Sequence, residues 1–320
     1  MFGRCVWSGI LTPHPTARGS MLRAGEIAAV GTAVCWAFAA NFFVASGRRI
    51  GSVQLNRLRL LVAGVLLCAT LWITHGAPWP TWGTQRQLLL LGASGLAGFA
   101  LGDSFYFRAL VILGAGRAAL LLATGPIFTA LFAWLWMGES LGPRAVAGML
   151  VTVGGVALVL YGRHQNLPAH AEGSAAAGVV YGMLSAVGAA AGYVLSKMGL
   201  GGRMDALSGT LVRVTAAAAV LWLAALLRNA LRGVPGALRD RTAVRTMVAG
   251  SVFGPFLGVT LSLFALQHAP AAVATSLFAT SPLFAIAIGA RVHREPVGAR
   301  TVIGALIAVG GVLLLFSRHS

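Results

Sequence analysis

The sequence predicts an all-α integral membrane protein with ten transmembrane helices, built as two inverted five-helix repeats. Three observations carry that expectation. The chain has 320 residues, of which 58% are hydrophobic and 10% charged, with a mean hydropathy of +0.83, more apolar surface than a soluble core of this length buries. Its apolar residues fall in continuous runs of about 20, the length at which a helix crosses a hydrocarbon layer of about 30 Å. A shift of 156 residues lays 109–161 over 265–317 without a gap, with 20 of the 53 positions identical, so the unit is duplicated.

Taken in order, the runs place spans at roughly 25–45, 57–75, 87–108, 115–137, 143–161, 176–196, 206–227, 245–266, 270–291 and 299–317. Each is bounded by short segments bearing Arg, His, Pro or Gly, such as Gly47-Arg48-Arg49 and Gly76-Ala77-Pro78. The runs do not alternate and are twice the length of a barrel strand, which excludes a closed barrel. Residues 24–161 form the first repeat, 162–174 a linker loop and 175–318 the second repeat. With five spans in each, the second copy enters the membrane from the opposite side, the symmetry many secondary transporters use. Residues 1–23 read as a disordered leader: the run Val6–Leu11 is too short for a signal-peptide core, and Met21 is a plausible start.

The net charge of +17 does not point to nucleic acid, because the arginines lie between apolar runs as interfacial anchors. Cys5, Cys35 and Cys68 lack metal-ligand spacing and read as free thiols. Gly92-Ala93-Ser94-Gly95 matches the GxSG of intramembrane serine proteases, but no histidine lies within a span to activate the serine. Lys197, the lone lysine, follows Ser196 rather than Gly, so there is no Walker loop; neither an enzyme nor a cofactor is expected.

The two copies read ALVILGAGRAALLLATGPIFTALFAWLWMGESLGPRAVAGMLVTVGG and ALQHAPAAVATSLFATSPLFAIAIGARVHREPVGARTVIGALIAVGG. With Trp36 in span one and Gly102-Asp103 late in span three, this pattern resembles the EamA family of the drug/metabolite transporter superfamily, over about 290 residues. The resemblance implies a multi-pass carrier of the cell membrane, often an exporter, for a small organic molecule. Two further readings stand beside it: a proton-coupled drug antiporter with Asp103 as the proton site, and an intramembrane enzyme or lipid-handling scaffold. It also implies cytoplasmic termini, whereas Lys and Arg are more numerous on the opposite side, which the positive-inside rule makes cytoplasmic.

Several residues are candidates for that function. Pro126 and Pro282 fall near the centres of spans four and nine, where a missing N–H kinks the helix and frees the carbonyls of Leu122 and Phe278. Thr124 and Thr280 either re-satisfy those carbonyls or line a cavity. Asp103 is an acidic residue within a span, a functional candidate by default, with Tyr106 one turn on and Arg117 as its expected ion-pair partner. Val259 and Val273 replace Asp103 and Arg117 in the second copy. Trp36, Asn41, Tyr193 and Ser262 are further substrate-binding candidates near the repeat interface. Lys197, Arg59 and Arg213 read as snorkelling to the interface or as binding an anionic group. Glu139 and Glu295 read as caps on the helices that follow them. Gly98, Gly102, Gly254 and Gly258 read as close-packing positions.

Overall fold

The computed structural model describes residues 15–113, 115–161, 174–201, 204–231, 233–292 and 298–316, and every regular element among them is helical. In chain order these are α1 (Pro15–Ile50), α2 (Ser52–His75), α3 (Gln85–Gly95), α4 (Asp103–Leu113), α5 (Ala115–Leu122), α6 (Gly125–Met137) and α7 (Pro143–Tyr161). There follow α8 (Ala175–Gly199), α9 (Ala206–Leu227), α10 (Val234–Arg239), α11 (Arg241–Ser251), α12 (Val259–His268), α13 (Ala271–Phe278), α14 (Ser281–Val292) and α15 (Ala299–Phe316). Six uninterrupted helical stretches are long and apolar enough to cross a membrane: Met21–Ile50, Ser52–His75, Gln85–Ala109, Ala175–Gly199, Ala206–Leu227 and Arg241–His268. Shorter apolar helices accompany them at Gly125–Met137, Pro143–Val159, Ala271–Ala285 and Ala299–Leu314. The protein is a multi-pass membrane protein. α1 already begins at Pro15, inside the segment expected to be a leader, and residues 1–14 lie outside the described residues.

The repeat is visible as matched irregularities. Residues Leu96–Gly102 and Val252–Gly258 are π-helical and link α3 to α4 and α11 to α12 at the same 156-residue offset. Pro255 lies in the second segment, while the first has Phe99 there, so proline alone does not cause the bulge. Helix breaks fall at Ala123–Thr124 and Ala279–Thr280, again 156 residues apart. The sequence places a kink at each proline; the structure ends one helix four residues earlier, at Leu122 and Phe278, and seats Pro126 and Pro282 in the first turn of the next. A missing N–H costs nothing there. The Thr124 and Thr280 hydroxyls donate to the carbonyls of Leu121 and Leu277, both at 2.6 Å, rather than to those of Leu122 and Phe278. The tight turn at each break brings the carbonyl three residues back within reach.

Equivalent helices pack antiparallel. In α7 and α15, Thr152 faces Gly311, Gly155 faces Ala308 and Val159 faces Gly304, so one chain runs against the other. A Cβ at Gly155 would lie 2.4 Å from the Ala308 nitrogen, an approach only glycine permits. α2 and α9 are also antiparallel: His75 at the end of α2 meets Asp205 at the start of α9, and the Arg57 guanidinium donates to the Ala230 carbonyl past the far end of α9. The first helix of each half packs on the other half. α1 lies against α11 to α14, and α8 against α3 to α6. Gly188 and Gly192 of α8 press on Gly102 and Gly98, while Gly254 and Gly258 take the rings of Phe43 and Trp36 from α1. All four glycines expected to pack do so, and the second pair seats Trp36 between the halves.

Candidate functional site

Arg59 and Arg213 stand at the same place in equivalent helices, each seven residues after the first residue of α2 or α9. Their relative exposures are 9% and 2%, so neither snorkels to an interface, which corrects that expectation. Neighbouring helices cover both positions, so each charge is held inside the bundle. Arg59 donates from Nη2 to Asp103 and from Nε to Asn56 Oδ1 at 2.9 Å, with the rings of Phe43 and Phe107 beside it. Asp103 therefore pairs with Arg59; the expected partner, Arg117, has a side chain outside the described residues. The sequence pointed to Arg117 because a short turn around Leu113 would bring the start of the following span back toward Asp103. Arg213 lies over Phe99 at 4.8 Å, and its Nε and Nη1 are buried without a hydrogen-bond partner among the described residues. It is within electrostatic reach of Asp103 and Tyr193. The signal that could have singled out both arginines is their shared register in α2 and α9.

An aromatic cluster stands next to this charge group. Trp36 and Tyr193 stack with centroids 6.4 Å apart, and Phe278 meets Trp36 edge-on at 5.4 Å and Tyr193 at 5.5 Å. These rings come from α1, α8 and the end of α13, at the break, so the cluster is shared by both halves. One turn along α8 from Tyr193, Lys197 occupies the same helix face.

Lys197 is tied into a cross-repeat clamp. Its Nζ donates to Glu139 Oε1 and to the Ala269 carbonyl, both at 2.6 Å, while Glu139 Oε2 accepts from the Ala271 amide at 3.0 Å. Lys197 thus does not snorkel, and Glu139 caps α13 of the other half rather than α7, which follows it. The cap is apt: Pro270 precedes α13 and offers no side-chain acceptor, so an orphan amide there needs a carboxylate from elsewhere. Beside the clamp is a cavity of about 370 Å³ lined by Met21, Leu22, Gln267 and His268 as well as Glu139 and Lys197. Glu295 lies outside the described residues.

The remaining candidates are placed as follows. Tyr106 lies one turn from Asp103, its ring 6.0 Å from that of Phe107. Asn41 is exposed and donates to the Ala37 carbonyl; it stands about 140° around α1 from Trp36, away from the aromatic cluster. The Ser262 hydroxyl is buried and donates to the Val259 carbonyl of its own helix. Thr280 is buried beside Phe278, and Thr124 is its half-buried equivalent. Cys35 and Cys68 are free thiols, and Cys5 lies outside the described residues.

Helices in two matched halves, with aromatic and charged side chains gathered between them, define the class as a helical membrane protein built on a duplicated unit. The pattern of the EamA-like transporter family matches residues 23–161 and 176–317, and the chain belongs to that family. A Pseudomonas aeruginosa relative, described as Uncharacterized protein PA1977, is 29% identical over 270 residues, 84% of this chain and 85% of its own. A solved crystal structure shares the fold with a TM-score of 0.74 at 18% identity, covering 91% of this chain and 96% of that one.

Proposed function

We propose that the protein is a secondary carrier that moves a small organic solute by alternating access, crossing the bilayer ten times as inverted repeats 24–161 and 175–318 joined by 162–174. The observation that carries this reading is the antiparallel pairing of equivalent helices combined with helix breaks and π-helical segments at one shared offset. Two halves related by a pseudo-two-fold axis in the membrane plane can exchange arrangements around a shared site, which is what alternating access requires. The breaks supply the flexible points: among the described helices in α5–α6 and α13–α14, the backbone ladder is interrupted where the two halves meet. Breaking the clamp of Lys197 and Glu139 would free one end of that meeting point. The pairing of Asp103 with Arg59 supports a role in positioning that arginine and counts against Asp103 as a freely exchanging proton site.

Counterflow in proteoliposomes tests the reading. Vesicles loaded with a panel of unlabelled metabolites should accumulate an external labelled one transiently, and vesicles of opposite protein orientation should report whether the solute is exported. Protein that inserts normally yet passes no solute across a broad panel would defeat it.

A further inference from the structure

Within the interior charge group, two guanidinium groups face one carboxylate. Asp103 is engaged by Arg59 and lies within electrostatic reach of Arg213, whose Nε and Nη1 have no hydrogen-bond partner among the described residues. Leaving two buried donors of a cation unpaired is costly, and a buried unpaired charge costs more still. A cationic solute would be repelled here, and a neutral one would leave the net positive charge uncompensated. An anion supplies both missing features: the opposite charge, and acceptors in a plane that matches the guanidinium fork. The surroundings restrict the anion further. Arg213 lies over Phe99, and Tyr193, within its electrostatic reach, belongs to the cluster with Trp36 and Phe278. Such a wall packs against an apolar, planar body and gives little to a heavily hydrated one.

We propose that Arg213 binds the carboxylate of a small aromatic acid, with the Arg59–Asp103 pair fixing the local charge at one net positive and Tyr193, Trp36 and Phe278 bordering the ring. This rests on the carrier reading and names the chemical class of its solute. Arg213, like Arg59, has an equivalent in the other half, so a carboxylate moving between the two guanidinium groups would follow the pseudo-symmetry of the fold.

The test uses the purified full chain in detergent, with benzoate and phenylacetate as probes and benzylamine, benzyl alcohol and inorganic phosphate as comparisons at matched ionic strength. Thermal unfolding and tryptophan fluorescence are read together. The carboxylates should raise the unfolding midpoint saturably, and the amine and alcohol should not. Arg213→Gln should weaken carboxylate binding tenfold or more, and Arg213→Lys, which keeps the charge but loses the fork, should fall between. If Arg213→Gln does not fold, the probe series on the unaltered protein and the Arg213→Lys variant decide. The proposal is overturned if neither carboxylate binds, if benzyl alcohol or benzylamine binds as well, if phosphate binds more tightly, or if a folded Arg213 variant retains full affinity. Carboxylate binding without any solute flux would defeat the carrier reading alone; counterflow of solutes with no carboxylate binding would defeat the anion site alone.

Discussion

At the scale of single residues, the informative groups are those whose charge is held away from water. Asp103→Asn should leave Arg59 with a weakened partner and lower stability by about 2 kcal/mol, the size of a hydrogen bond to a charged group. Adding Arg59→Gln should recover part of that loss, because the two substitutions share one interaction. Detergent-solubilised unfolding midpoints for the single and double variants check this, and strictly additive losses would dissolve the pair. Asp240 makes a different prediction. It caps α11, accepting from the Ala243 amide at 3.0 Å, and pairs with Arg49 at 2.7 Å; the amide first and Arg49 second hold its carboxyl below the usual carboxylate range. A depressed carboxylate adds stability that is fully present above its unfolded pKa, about 3.9, and is lost as pH falls through the lower folded value. The difference in unfolding midpoint between the unaltered protein and Asp240→Asn should therefore be constant above about pH 5 and shrink as the pH drops below about 4. A difference that grows on acidification would contradict the assignment.

At the scale of elements, the duplicated Gly-Gly pairs separate packing from propensity. A Cβ at Gly154 or Gly310 meets nothing within 4 Å, whereas one at Gly155 or Gly311 would lie 2.4 Å from backbone nitrogen of the partner helix. Gly155→Ala and Gly311→Ala should each cost about 1–3 kcal/mol through overpacking between α7 and α15. Gly154→Ala and Gly310→Ala should be neutral or stabilising by up to about 1 kcal/mol, since alanine is the better helix former. Unfolding of the four variants checks the ranking, and equal effects within each pair would refute the close approach. The breaks give a functional counterpart. Pro282→Ala restores an N–H at the start of α14 and should favour joining α13 to α14, reducing flux while membrane abundance stays normal. Unchanged flux at normal abundance would remove the break from the mechanism.

For the whole molecule, the consequence of two antiparallel halves is topological. Gln85 follows α2 and Arg239 precedes α11; in the inverted arrangement these equivalent ends lie on opposite sides of the membrane. After replacement of the native cysteines, single cysteines at these two exposed positions should react with an impermeant maleimide from opposite faces of sealed vesicles. Labelling of both from one face would overturn the inverted arrangement and with it the ten-span count.

Hydropathy, proline and the repeat are local or self-referential properties, so the sequence by itself determined the helical membrane class, the duplicated unit and the register of the breaks near Pro126 and Pro282. A missing N–H perturbs its own helix wherever that helix sits. Only the tertiary structure decided which charges meet. Arg59 and Asp103 are 44 residues apart, and Glu139 reaches an amide 132 residues away, so neither partner is visible to reasoning that weighs nearest neighbours along the chain. The same reason explains the arginines: an Arg near a span end reads as an interfacial anchor until the packing of α2 against α9 shows its side chain buried among the helices. Which helix a residue is on follows from local preference, whereas what it touches follows from how the two halves pack against each other.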